Sequence, residues 1–196
     1  MLKILHRFSL SKHMSSINKT YGFEIDIRQR GGDIIIQHEP NEDGEKLEDW
    51  LKFFNHSFII FNIKEDGIEN KVLKIIKRYE ITNYFFLDLS FPSLVKLASS
   101  GEKNIASRIS KYENINTTLS LKSMVSWVWV DLFEDKIPLS QSEYKILKDH
   151  NFKICLVSPE LLSRGKDSIL KVQDQIKKNA FVFDAVCTKE VELWEK

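Results

Sequence analysis

The chain has 196 residues, with 29 basic and 28 acidic side chains and a net charge of +1. That length suits one domain with a sizeable core, and the near-cancelled charge gives no footing for a general nucleic-acid or membrane-surface partner. Met1 to Leu10 is too short and too charged for a signal peptide, no apolar run approaches a membrane span, and Cys155 and Cys187 each sit inside an apolar run as expected buried free thiols. A soluble cytoplasmic protein without stable membrane insertion is the expectation; its oligomeric state is open.

Strand-like and helix-like segments alternate along the chain. Leu2 to Arg7 is a strand that ends in a histidine, and the stretch from Ser11 to Tyr21 has room only for a truncated helix. Phe23 to Arg28 alternates strictly, with Phe23, Ile25 and Ile27 on one side and Glu24, Asp26 and Arg28 on the other. Gly31 and Gly32 turn this strand into a hairpin extension, Ile34 to Pro40, which carries His38. Lys46 to Phe54 reads as a helix with Leu47, Trp50, Leu51 and Phe54 on one face. Phe58 to Lys64 is a strand, followed by a helix with Ile68, Val72, Ile75, Ile76 and Tyr79 at helical spacing.

Tyr84 to Ser90 is the next strand; Phe91 and Pro92 open a helix that stops at Gly101. Ile105 to Ser110 is a short strand, Leu119 to Met124 a short helix or turn, and Trp127 to Phe133 a strand. Ser140 and Glu143 form a capping-box pattern ahead of a helix that carries Tyr144 and Leu147. Lys153 to Ser158 is a strand, Ser163 to Lys178 a helix, Phe183 to Thr188 the last strand, and Glu190 to Lys196 a short helix. With the hairpin extension counted to its parent, eight strands alternate with helices and most are apolar on both faces, as a buried parallel sheet requires. The fold class is α/β, a compact TIM (β/α)8 barrel in one domain spanning 1–196, with an open doubly wound sheet as the rival. No Gly-x-Gly-x-x-Gly follows the first strand and no phosphate-loop pattern occurs, so the nucleotide-binding version lacks support.

In a barrel, polar residues at the C-terminal ends of strands converge on one mouth. Here they are His6 and Arg7, Glu24, Asp26 and Arg28, His38, Asn62 and Lys64, Asp88, Arg108, Trp129 and Asp131, and Lys189. The chemistry suits a phosphodiester: carboxylates take a hard cation, Arg and Lys take phosphate oxygens, and two imidazoles serve as base and acid. Blander readings stand beside it. Glu24 and Asp26 could be neutralised by Arg28, Arg108 and Asp131 could form a structural ion pair, and Trp127 and Trp129 could be packing residues.

The order His6-Arg7, Glu24-x-Asp26, His38 followed by an acid, and Asn62-x-Lys64 resembles the glycerophosphodiester phosphodiesterase family, TIM-barrel relatives of the phosphatidylinositol-specific phospholipases C. Asp184 to Leu193 resembles that family's last strand and helix, so the likeness runs the whole chain. It implies His6 and His38 as the acid/base pair, Glu24, Asp26 and Asn62 as ligands of Mg²⁺ or Ca²⁺, and Arg7 and Lys64 as stabilisers of phosphate charge; Arg108 and Trp129, at strand ends of the same mouth, are further candidate substrate contacts. The implied function is metal-dependent hydrolysis of a glycerophosphodiester or similar small polyol phosphodiester. A degenerate barrel that binds a phosphorylated ligand or a protein partner is one alternative; a metal-independent, phospholipase C-like enzyme is another. The sequence departs from the pattern at Phe8, where glycine is usual; at Glu39, in place of aspartate; and at Asn62, in place of a carboxylate. The Glu-Asn-Thr stretch before the first helix and the capping insertion are missing.

Overall fold

Strands that are apolar on both faces need cover on both sides, and this chain supplies it by closing a sheet on itself and wrapping it in helices. The computed structural model describes residues 1–194. In chain order the elements are β1 (Leu2–Leu5), β2 (Gly22–Arg30), β3 (Asp33–Ile36), β4 (Glu45–Lys46), α1 (Leu47–Leu51), β5 (Phe58–Ile63), α2 (Glu69–Arg78), β6 (Tyr84–Leu87) and α3 (Phe91–Ser99). There follow β7 (Ala106–Ile109), α4 (Ile115–Ser120), β8 (Trp127–Val130), α5 (Gln141–Asp149), β9 (Lys153–Val157), α6 (Asp167–Lys178) and β10 (Ala185–Thr188).

Parallel pairing runs β1–β2–β5–β6 on one arm and β7–β8–β9–β10–β1 on the other. The arms meet at a single parallel bridge between Phe86 and Ile105, supported by the Phe86 N–H donating to the Asn104 carbonyl at 2.8 Å. The expected eight-stranded barrel is therefore present. Its interior is packed by Ile4, Ile60, Phe85, Trp127, Trp129 and Cys187 among others, and a larger core lies between the strands and the helices. Interior packing of this density makes truncation expensive: Phe85→Ala should cost about 3–5 kcal/mol.

Beyond the ring, Gly31 and Gly32, both at positive φ, turn β2 antiparallel into β3, which pairs with β4. The β4 pairing adds a third strand to this flap. Helix bounds differ from the sequence reading for local reasons. The Ser11–Ser16 segment is a 3₁₀ turn that buries only Met14. After Leu51 the chain tightens into i to i+3 bonds through Phe54, so α1 is shorter than its apolar stripe. Asn114 caps the Asn116 N–H, which starts α4 at Ile115 and leaves the span up to Met124 as turns. A 3₁₀ turn at Pro159–Leu162 precedes α6, and Ser140 with Glu143 closes the expected capping box of α5. The final turn runs Val191–Trp194; Glu195 and Lys196, the end of the expected last helix, lie outside the described residues.

Candidate active site

Glu24 and Asp26 project into the barrel from β2 because their alternates Phe23, Ile25 and Ile27 fill the outer core. Register places Asp26 beside Asn62 of β5. Just past β1 the chain turns sharply at Arg7, whose φ is 54°. This turn aims two amides at β2: the Arg7 N–H donates to Glu24 Oε2 at 2.8 Å and the Phe8 N–H to the Glu24 carbonyl at 2.9 Å. Phe8 occupies the usual glycine position without entering the mouth, since its ring stacks on Phe23 at 4.0 Å.

Glu24 is 1% and Asp26 4% exposed. Asn62 Nδ2 donates to Glu24 Oε1 at 2.8 Å, while His6 Nε2 lies 3.8 Å from Glu24 Oε2. Burial first, and then the neighbouring Asp26, pushes the Glu24 carboxyl up to about 7, against the hydrogen bonds from Asn62 and Arg7. Burial, followed by the positive charges of Arg7, Lys189 and Lys64, pulls His6 down to about 3. Both groups are shifted away from their charged forms, so the 3.8 Å approach of His6 to Glu24 is not a full ion pair. Lys64 Nζ sits 3.2 Å from Asp26 Oδ1, and Arg7 Nε 3.6 Å from Asp26 Oδ2, as ion pairs.

His38 follows the end of β3, where the Gln37 side-chain oxygen accepts the N–H groups of His38 and Glu39 at 2.7 and 3.2 Å and ends the ladder. Arg7 Nη2 donates to His38 Nε2 at 2.6 Å, and a guanidinium has no acceptor. Nε2 must then carry the lone pair and Nδ1 the proton, which points to Glu39 Oε1 at 2.5 Å. The hydrogen bond from His38 holds the Glu39 carboxyl below its usual range.

Arg28 does not neutralise the acidic couplet. It donates to the His38 carbonyl at 3.0 Å and pairs with Glu65 at 3.2 Å. Across the mouth Lys64 also pairs with Asp88 at 3.4 Å, and Arg108 bridges Asp88 and Asp131. The structure thus gathers His6, Arg7, Glu24, Asp26, His38, Asn62 and Lys64, with Arg108 in an ionic chain alongside. Trp129, expected as a substrate contact, is 5% exposed in the interior cluster, with the Phe85 ring 6.4 Å away. The sequence reading passed over Glu160, which accepts from Thr188 Oγ1 at 2.5 Å and from the Lys189 N–H at 3.1 Å. Its only signal was an acid just past the strand that ends at Ser158.

Three buried polar atoms in this cluster lack a hydrogen-bond partner: His6 Nδ1, Asp26 Oδ1 and Asn62 Oδ1. Among the described residues no group of three or more His, Cys, Asp or Glu side chains is arranged to hold a metal ion. The oxygen donors are two carboxylates and one amide.

No family model and no curated protein matches the sequence. Solved structures do match the fold over nearly the whole chain. A glycerophosphodiester phosphodiesterase from Agrobacterium tumefaciens str. C58 superposes with a TM-score of 0.71 at 11% identity, covering 99% of each chain. One from Thermotoga maritima gives 0.67 at 18% identity, covering 99% of this chain and 96% of that one. A glycerophosphoryl diester phosphodiesterase from Parabacteroides distasonis ATCC 8503 gives 0.66 at 12% identity, covering 99% and 85%. The barrel is thus the fold of these phosphodiesterase structures. Among the described residues no helix is long and apolar enough to cross a membrane.

Proposed function

We propose that the chain is a phosphoric diester hydrolase that cleaves a glycerophosphodiester or a similar small polyol phosphodiester, with His6 and His38 as acid and base and a Mg²⁺ or Ca²⁺ ion at Glu24, Asp26 and Asn62. The observation that carries this reading is Asn62 Oδ1, a buried oxygen without a hydrogen-bond donor, beside the carboxyl of Glu24 and that of its register neighbour Asp26. A buried acceptor is normally satisfied, so Asn62 Oδ1 calls for a cation or a donor. The donor set fits a hard divalent ion, because amide and carboxylate oxygens are its ordinary ligands. When bound, the ion would offset negative charge on the phosphate oxygens.

The remaining roles belong to side chains of this chain. A phosphate group in the mouth draws Arg7 from His38 Nε2 to its own oxygens, where Lys64 joins it as a second cation. His38, with its Nδ1 proton held by Glu39, then presents a lone pair and takes the proton of a neighbouring substrate hydroxyl. That oxygen bonds to phosphorus, the bond from phosphorus to the leaving oxygen breaks, and His6, protonated for this step, gives the alkoxide a proton from Nε2. Water opens the resulting cyclic phosphate with the two imidazoles in exchanged roles.

Turnover of bis-p-nitrophenyl phosphate and of glycerophosphocholine, stimulated by Mg²⁺ or Ca²⁺ and lost in both His6→Ala and His38→Ala, is the expected result. Full activity in either variant would remove the role assigned to that histidine. Lys64 on Asp26 favours one second reading, in which a protein cation replaces the ion; turnover that persists in a chelator marks that case. Metal or phosphate binding without any turnover marks a degenerate barrel.

A further inference from the structure

Among the polar residues at the strand ends, Lys189 takes no part in the roles assigned so far. Register pairs Leu5 of β1 with Thr188 of β10, so His6 and Lys189 leave the two strands side by side. The His6 N–H donates to the Thr188 carbonyl at 3.0 Å and keeps them together. Both continue the parity of Ile4 and Cys187, which fill the barrel interior below them. After burial and Arg7, the Lys189 charge is the next largest pull on the His6 imidazole, ahead of Lys64.

The turn that carries Lys189 is held. The Glu160 carboxylate accepts from Thr188 Oγ1 at 2.5 Å, from the Lys189 N–H at 3.1 Å and, on its other oxygen, from Ser158 Oγ. Thr188 Oγ1 in turn accepts the Glu190 N–H at 2.9 Å. Lys189 itself is exposed, and among the described residues its ammonium makes no ion pair. The acids around it are engaged by other groups: Glu160 by the donors above, Glu190 by Lys166 at 2.8 Å, Glu24 by Asn62 and the Arg7 N–H, and Asp26 by Lys64 and Arg7.

A phosphodiester carries one negative charge, and Arg7 and Lys64 already stand beside the proposed ion site to receive it. A third cation, next to the imidazole that protonates the leaving alkoxide, is surplus to the phosphate. We infer that Lys189 binds a second anionic group, a carboxylate or a phosphate monoester, carried by the alcohol that leaves. The inference rests on the proposed phosphodiesterase site, in which His6 stands on the leaving side. An exposed charge pair of this kind is weak alone and is screened by salt, so it discriminates among diesters rather than driving the reaction.

The test is a series of glycerol phosphodiesters of ethanol, choline, glycolic acid and 2-hydroxyethyl phosphate, assayed by release of glycerol phosphate at constant Mg²⁺. The expected kcat/KM for an anionic diester exceeds that of the ethyl diester by about fivefold at low salt, and the excess shrinks in high salt. Which of the two anionic diesters leads tells carboxylate from phosphate. Lys189→Met brings the anionic-to-ethyl ratio close to one, Lys189→Arg keeps it, and Lys189→Glu inverts the series in favour of choline. A role confined to the fold or to the His6 proton would move every diester alike and leave the ratio in place. Equal rates across the series, or an excess that survives Lys189→Met, overturns the inference. Should no diester be hydrolysed, the thermal shift with the same compounds decides separately. Stronger binding of an anionic diester that is lost in Lys189→Met supports the Lys189 site while the hydrolase reading falls; equal or absent binding ends the Lys189 proposal as well.

Discussion

On the β1–β2–β5 side of the mouth, Glu24, Asp26 and Asn62 are buried side by side, Asn62 Oδ1 has no hydrogen-bond donor, and Glu24 and His6 are pushed toward neutrality. On the β6–β7–β8 side, Arg108 spans Asp88 and Asp131 and faces Glu113 at 3.7 Å. Both sides hold a nearly buried carboxylate with cations beside it, yet only the first adds a second buried carboxyl, Glu24, and an amide oxygen without a donor. A matched network serves the fold, whereas an unmatched one costs stability that a ligand can offset. The same residue types thus imply different losses on the two sides: activity on the first, stability on the second.

The largest effect should come from the unmatched side. On the proposed roles, His38→Ala lowers kcat/KM about 10²- to 10⁴-fold with little change in melting temperature, since His38 sits beyond the strands at the rim. Steady-state kinetics beside a thermal melt separates the two, and a loss of stability that equals the loss of activity would erase the contrast. On the matched side, Arg108→Met leaves Asp131, 4% exposed, without its cation and should cost about 3 kcal/mol in urea unfolding.

Smaller, but sharper, is the pH response of the His6–Glu24 pair in a chelator. The folded carboxyl at about 7 stands above its ordinary 4.5, so its contribution is full at low pH and is lost as pH rises from 4.5 to 7. The folded imidazole at about 3 stands below 6.5, so its contribution is full above 6.5 and is lost as pH falls toward 3. Between pH 4.5 and 6.5 the two slopes oppose, and unfolding free energy should be nearly flat. Glu24→Gln leaves the imidazole alone, and stability then climbs with pH by about 1.4 kcal/mol per unit across that window. A flat profile in this variant would refute the opposed shifts. The smallest effect is Asn62→Glu, which adds a charge to the oxygen set and should enlarge the thermal shift on millimolar Mg²⁺ by a few degrees; an unchanged shift would place any ion elsewhere.

Much of this was readable from residues. Period two alone sends Glu24 and Asp26 inward, because Phe23, Ile25 and Ile27 must be buried outward, and eight such strands separated by helices close a ring. Side-chain competition with the backbone was less visible. His38 reads as part of a strand, but the Gln37 side chain takes the amides that would have continued the ladder. Arg28 shares parity with the acids, yet β2 has by then left the ring for the flap, and the guanidinium holds the His38 carbonyl instead. Trp129 has the inward parity expected of a mouth residue, but interior neighbours cover it. That β6 and β7 meet at a single bridge left no signal, since it depends on how two separately plausible strands come together.

The single Phe86–Ile105 bridge is the weakest joint of the cylinder. A hoop gives first at its least-stitched joint, and here one bridge does the work that several registered pairs do at every other joint except the short β1–β2 overlap. Separating the wall at this seam breaks few backbone bonds and leaves the registered pairs of the other joints intact.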